Sequence, residues 1–155
     1  MKNVYYYNSY LGKIGIAEEN NKITDVFFEN DKLEGKYIIN ETDVLRQAAL
    51  QLEEYFQGKR KTFSLDLAPE GTDFMKKVWK ELSNIPYGQT VCYKDIAIAI
   101  GNEKACRAVG MANNRNPIPI FIPCHRVIGK NGALVGYSSG VDIKVKLLEL
   151  ESSYK

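Results

Sequence analysis

The pattern of apolar and polar positions changes character along the chain. Short runs rich in β-branched and aromatic residues come first: Val4-Tyr5-Tyr6-Tyr7, Lys13-Ile14-Gly15-Ile16-Ala17 and Ile23-Thr24-Asp25-Val26-Phe27-Phe28. These read as strands. Ser9 and Gly12 bracket one turn and Glu18-Glu19-Asn20-Asn21 forms another, which predicts a meander. From Thr42 the period becomes helical. Leu45, Ala48, Ala49, Leu52, Tyr55 and Phe56 share a face, Thr42 stands where an N-cap belongs, and Gly58 where a C-cap belongs. Leu67-Ala68-Pro69-Glu70-Gly71 has linker composition. The pattern therefore divides into an α/β unit at 1–66, a linker at 67–71 and a second unit at 72–155.

The second unit opens with an amphipathic helix whose face carries Phe74, Met75, Val78, Trp79 and Leu82, followed by a turn at Pro86-Tyr87-Gly88-Gln89. A short helix from Tyr93 to Ile100 is broken by Gly101-Asn102, and a second is expected from Glu103 to about Ala112. Two short helices around a glycine-containing turn have the shape of a helix-turn-helix, about 93–113. The second of them is rich in small residues, namely Ala105, Ala108, Gly110 and Ala112. Asn116 to Pro123 holds three prolines, so it cannot be helical, and it is too apolar for a solvated linker. The expectation is an extended, buried segment that delivers Cys124 to a fixed place. Val127-Ile128, the Asn131-Gly132 turn and Ala133-Leu134-Val135 suggest a hairpin, and a last helix should run over about 142–152.

Composition adds limits. The 155 residues are 45% hydrophobic and 26% charged, ordinary for a folded protein. No stretch has the apolar core of a signal peptide or the ~20 apolar residues of a membrane span, so a cytoplasmic protein with no membrane association is expected. The three cysteines, Cys92, Cys106 and Cys124, form no C-x-x-C, and His125 is the only histidine, so neither a disulfide framework nor a metal site is expected. Charge is unevenly distributed. Residues 1–70 carry 9 Lys and Arg against 12 Asp and Glu, whereas residues 71–155 carry 12 against 7. A basic half joined to an acidic half suggests that the second half meets a polyanion.

The candidate chemistry centres on Cys124, which follows a proline and precedes the lone histidine. A thiol is a weak nucleophile until ionised, and an imidazole can take its proton. In an extended backbone neighbouring side chains point to opposite faces, so a direct contact needs a turn and a bridging water is the link favoured otherwise. A buried structural cysteine beside a surface histidine would show the same pair. Glu151 shifts the balance. Lys144, Leu147, Leu148 and Glu151 recur at helical spacing, which puts a carboxylate on an apolar face where it needs a partner. His125 is an economical one, with the glutamate orienting the imidazole as in catalytic triads. Glu151 in water on a frayed last turn is the alternative.

The run I-P-C-H-R-V-I-G resembles the O6-alkylguanine-DNA alkyltransferase family, also called methylated-DNA–protein-cysteine methyltransferases. N-R-N-P-I-P-I precedes it, and G-Y-S-S-G and a looser K-x-x-L-L-x-x-E follow. Upstream, G-T-D-F-x-x-x-V-W, I-P-Y-G-Q-T and C-R-A-V-G occur in the expected order. The resemblance covers residues 71–155 almost continuously and residues 1–70 only in layout. It implies a small N-terminal ribonuclease-H-like antiparallel sheet with a helix, and a C-terminal winged-helix or helix-turn-helix domain that carries the active site. The implied reaction flips O6-alkylguanine, or O4-alkylthymine, out of duplex DNA and moves the alkyl group irreversibly onto Cys124, once per molecule.

Carried over by motif, Cys124 is the acceptor, His125 the base acting through a water, and Glu151 completes the relay. Asn116 ties the active segment to neighbouring backbone, and Tyr93 promotes flipping and donates to guanine N3. Arg107 fills the gap left by the flipped base. Ala105, Ala108, Gly110 and Asn114 lie on the DNA-facing helix. Tyr137, Ser138, Val135, Pro119 and Met111 border the guanine pocket. Double-stranded DNA approached through the minor groove is the implied partner. The protein should be monomeric in solution, with cooperative binding on DNA left open, cytoplasmic and nucleoid-associated when bound, and should need no cofactor. Met111 departs from a small residue often found after Gly110, and Ser139 is small where some relatives carry tryptophan, which suggests room for adducts larger than methyl. Benzylguanine that fails to label Cys124 while methylated DNA is repaired would contradict this. Three rivals remain: a non-catalytic lesion-binding protein of the alkyltransferase-like type, a thiol hydrolase, and a plain helix-turn-helix regulator.

Overall fold

The computed structural model describes residues 1–29, 31–132 and 140–155. Its N-terminal half is a four-stranded sheet in the order β3-β2-β1-β4, built from β1 (Lys2–Ser9), β2 (Gly12–Glu19), β3 (Lys22–Phe28) and β4 (Tyr37–Ile39). The first three form the meander expected from their alternating pattern. Strand β4 was not read from the sequence, and it lies parallel to β1, so the sheet is mixed rather than antiparallel. Only three residues long and exposed, Tyr37, Ile38 and Ile39 present no inward apolar alternation to read.

Helix α1 (Asp43–Phe56) covers one face of the sheet with Leu45, Ala48, Leu52 and Tyr55. Thr42 occupies its N-cap, and Gly58 follows the helix with φ of +76°, a conformation glycine adopts without penalty. The return segment is held by Gln51, which donates to Ser64 O and accepts from Ser64 N.

The two halves share one core. Ile14, Ile16, Leu45 and Tyr55 from the first pack in the same cluster as Trp79, Leu82, Ile118 and Leu147 from the second. Strand β3 also joins them through the backbone. Ile23 N donates to Asp66 O (2.9 Å), Ala68 N to Ile23 O (2.8 Å) and Val26 N to Pro117 O (2.9 Å). The start of the segment read as a linker is thus paired to the sheet.

In the second half, α2 (Asp73–Leu82) is capped by Thr72, whose hydroxyl accepts from Met75 N. Trp79, 2% exposed, donates from Nε1 to Ala112 O (2.8 Å), fixing α2 against α4 (Cys106–Asn114). Helix α3 (Tyr93–Ala99) precedes α4, and the second helix starts three residues later than the sequence suggested, because residues 102–105 form a turn closed by Ala105 N to Asn102 O.

Two further expectations are corrected. The proline segment is not extended: Ile122 N returns to Ile118 O (3.0 Å), and Ile120 takes φ of +75°, so the chain folds back on itself. Val127–Ile128 (β6) pairs in parallel with Val91–Cys92 (β5), and Lys130–Gly132 is a 3-10 turn rather than a two-residue hairpin turn. The second arm of the expected hairpin, at 133–135, lies outside the described residues. The last helix, α5 (Val141–Ser153), runs where the pattern placed it.

Replacing Trp79 by Phe removes the buried hydrogen bond and leaves a small void, and should cost about 1–3 kcal/mol. Urea unfolding followed by circular dichroism checks this, since the substitution also removes the only tryptophan; an unchanged midpoint would contradict the packing described.

Candidate active site

Helix α5 turns the face of Lys144, Leu147 and Glu151 inward, where all three are buried. The Glu151 carboxylate, 1% exposed, is surrounded by donors. Arg126 grips it with both ends of its fork, Nε to Oε1 and Nη2 to Oε2, each at 2.9 Å. His125 Nε2 lies 2.6 Å from Oε2, Gly88 N donates to Oε1 at 3.0 Å, and the Tyr55 hydroxyl donates to Oε2 at 2.5 Å. The third guanidinium nitrogen, Nη1, donates to Ile85 O (2.8 Å), and the guanidinium carbon lies 5.7 Å from the centre of the Tyr87 ring.

Burial alone would push the Glu151 carboxyl up, but the hydrogen bonds from His125, Arg126 and Tyr55 outweigh it and hold the group well below the usual carboxylate range. His125 is pushed the other way. Enclosure disfavours its cation, and although Glu151 opposes this, Arg126 and Lys144 add to it, leaving the imidazole below its ordinary value. The consistent state is an ionised glutamate accepting from a neutral imidazole protonated on Nε2. Nδ1 then carries the lone pair, and it is a buried nitrogen with no hydrogen-bond partner among the described residues.

Cys124 opens the 3-10 turn Cys124–Arg126 and is 4% exposed. The sequence left open whether Cys124 and His125 sit on a strand or a turn; they sit on a turn, which removes the opposite-face objection. That turn is fixed from behind. Asn116 donates from Nδ2 to Ile122 O (2.9 Å) and accepts from Ile118 N (3.0 Å), clamping the folded-back proline segment. Asn113 Nδ2 reaches Cys124 O at 3.4 Å. Lys144, fully buried, donates to Val127 O at 2.5 Å. Its ammonium is lowered by desolvation, and the attraction of Cys124 opposes this. The Tyr93 phenol is raised by desolvation and further by Cys124. The Cys124 thiol therefore lies within electrostatic reach of both a phenol and an ammonium.

The structure brings together Cys124, His125, Glu151, Asn116 and Tyr93. Pro119 is buried in the folded-back segment, bridged to Ile122. Arg107, Ala108, Met111 and Asn114 lie on the exposed face of α4, with Met111 56% exposed. Ala105 is the N-cap of α4, and Gly110 looks towards the Tyr93 ring, 4.0 Å from where a side chain would begin. Val135, Tyr137, Ser138 and the small Ser139 lie outside the described residues. Sequence reasoning missed Arg126, Lys144, Asn113 and Tyr55. Lys144 could have been found, since it stands two turns before Glu151 on the same apolar face; Tyr55 is 96 residues away and left no local signal. Among the described residues, no helix is long and apolar enough to cross a membrane, and no group of His, Cys, Asp and Glu could hold a metal ion.

Two family models match the chain: the ribonuclease-like domain of 6-O-methylguanine DNA methyltransferase over residues 4–69 and its DNA-binding domain over 73–153. The constitutive methylated-DNA–protein-cysteine methyltransferase of Bacillus subtilis is 52% identical over 153 residues, covering 94% of this chain and 93% of its own. The methylated-DNA–protein-cysteine methyltransferase of Methanosarcina barkeri is 65% identical over 108 residues, which is 70% of this chain and 68% of its own. A crystal structure of Mycobacterium tuberculosis OGT in complex with DNA superposes with a TM-score of 0.93 at 39% identity, covering 98% of this chain and 94% of that one. The chain belongs to the 6-O-methylguanine DNA methyltransferase family.

The pKa directions make a linked prediction about stability. His125 titrates below its ordinary 6.5 and Glu151 below its ordinary 4.5. In both cases the unfolded chain binds protons that the folded chain refuses, so both contributions are present above the unfolded value and are lost as pH falls. Unfolding free energy should decline from about pH 7 downwards, first through histidine and then through glutamate. Stability that stays flat or rises from neutrality to about pH 4.5 would contradict the buried network.

Proposed function

We propose that this protein repairs DNA by direct reversal, taking the alkyl group of O6-alkylguanine onto Cys124 and keeping it. The observation that carries this reading is the arrangement on one buried turn: Cys124, then His125 with Nε2 bonded to the ionised Glu151 and Nδ1 left as a base. The thiol proton passes to Nδ1 through a water, a suitable occupant for a buried nitrogen otherwise unpartnered. The sulfur displaces guanine from the alkyl carbon in line, forming a carbon–sulfur bond as the carbon–oxygen bond breaks. Negative charge moves from sulfur to the departing base, which ends with a proton in place of its alkyl group. Tyr93 donates a hydrogen bond to guanine N3 as that charge develops, and the Lys144 ammonium stabilises the thiolate beforehand. An alkyl thioether resists hydrolysis because a thiolate is a poor leaving group from an alkyl carbon, so each molecule acts once.

DNA is met by the exposed face of α4, where Arg107 and the small residues Ala108 and Gly110 allow close approach to the minor groove, and Arg107 fills the space of the flipped base. Residues 1–66 form a supporting unit and 72–155 the unit that binds DNA and carries out transfer, joined by 67–71. By the family motif, Pro119 and Met111 border the guanine pocket, and O4-alkylthymine is a second substrate. The protein acts as a monomer in the cytoplasm, on the nucleoid when bound.

Incubation with a duplex labelled in the O6-methyl group should place one label per chain on Cys124. Cys124→Ala should abolish transfer and retain binding to the damaged duplex; repeated turnover, or no transfer by the native protein, would sink the reading. Lys144→Met keeps the length of the side chain and removes its charge. It should slow transfer about tenfold or more with duplex affinity little changed, which single-turnover kinetics would measure.

A further inference from the structure

Five donors converge on Glu151, but a carboxylate has only about four lone-pair sites. The crowding falls on Oε2, which accepts from Tyr55 (2.5 Å), His125 (2.6 Å) and Arg126 Nη2 (2.9 Å), while Oε1 takes only Arg126 Nε and Gly88 N. Tyr55 comes from α1, in the half of the chain that bears no acceptor chemistry. Its ring is fully buried, seated edge-on or tilted against Phe56, Phe63 and Tyr87, and this packing aims the hydroxyl at one oxygen.

We infer that Tyr55 is a positioning residue for alkyl transfer: by sharing Oε2 with His125, its hydroxyl limits how strongly Glu151 holds the imidazole and so tunes the base that serves Cys124. The inference rests on the proposed relay and extends it to the N-terminal half. Donors on one acceptor oxygen compete, since each withdraws electron density that the other would use. With Tyr55 in place, the carboxylate orients Nε2 without drawing its hydrogen so far that charge builds on the ring. Without it, Glu151 would pull harder on Nε2–H and make Nδ1 more basic. The other groups around the pair are fixed: Arg126 on the active turn, Lys144 two turns back on α5, Tyr87 before β5 and Tyr10 in the β1–β2 turn all interact electrostatically with Glu151 or His125. Among the described side chains that donate to Glu151, Tyr55 is the one that can be altered without removing a cation or the base itself.

The oversubscription also makes the test practicable. Tyr55→Phe removes one of five donors and leaves the carboxylate satisfied and the ring packing intact, so the fold should survive. The chain has a single histidine, so the Nε2–H proton resonance of His125 is unambiguous in isotope-labelled, DNA-free protein. In Tyr55→Phe it should move downfield, as the remaining bond to Glu151 strengthens. Site-specific fluorotyrosine at position 55, a more acidic and stronger donor, should move it upfield, and this variant decides the matter if Tyr55→Phe does not fold. The acid limb of the pH–rate profile for single-turnover transfer should follow, rising by about half a unit or more in Tyr55→Phe. Opposite movements in the two variants support the inference; an unmoved resonance, or movement in the same direction in both, overturns it. The resonance is read without DNA, so failure of native protein to transfer an alkyl group would count against the proposed function and not against this coupling.

Discussion

The structure depends on one buried carboxylate. Glu151 draws together a guanidinium and an imidazole from the active turn, a backbone amide from the loop before β5 and a phenol from the first helix. Removing such a charge from water costs several kcal/mol, and only a full set of donors offsets that cost. Packing the last helix, ordering the 3-10 turn and docking the N-terminal half are therefore parts of one requirement. The same bonds that make the carboxylate tolerable fix the tautomer of His125.

The Cys124 thiol is placed by a different device. Three prolines and Asn116 fold residues 116–123 into a compact buried turn, in which Asn116 holds Ile122 O and Ile118 N while Ile122 N returns to Ile118 O. This gives Cys124 a rigid base without a regular element. The rigidity suits the proposed transfer, whose geometry is a line through sulfur, carbon and oxygen and in which the protein acts once and needs no route for turnover.

Much of this was legible beforehand, and the reasons separate cleanly. Strands β1–β3, helices α1, α2 and α5, and the partnership of Glu151 with His125 follow from periodicity and from the cost of burying a carboxylate. The family was legible from I-P-C-H-R-V and its neighbouring blocks. What escaped lacked a local signal. Tyr55 looks like any core aromatic until its hydroxyl is seen against Glu151. Arg126 stood in the recognised motif without a role, because its partner lies 25 residues on. The proline segment was read as extended since prolines exclude helix without specifying a turn, and the fold-back depends on Ile120 at positive φ, which β-branched residues seldom adopt. Strand β4 is short, exposed and at a sheet edge, where pairing rather than pattern defines a strand.

The two halves divide the work: the acidic half supplies scaffold and one hydroxyl, the basic half Cys124 and the α4 face proposed to meet DNA. The claim that joins them is that ionised Glu151 holds His125 neutral, with the proton on Nε2 and the lone pair on Nδ1. Nitrogen-15 chemical shifts of the single histidine at neutral pH test it directly. The account predicts an Nε2 shift typical of a protonated ring nitrogen and an Nδ1 shift typical of an unprotonated one, with a downfield Nε2–H. A proton on Nδ1, or an imidazolium with both nitrogens protonated, would contradict it.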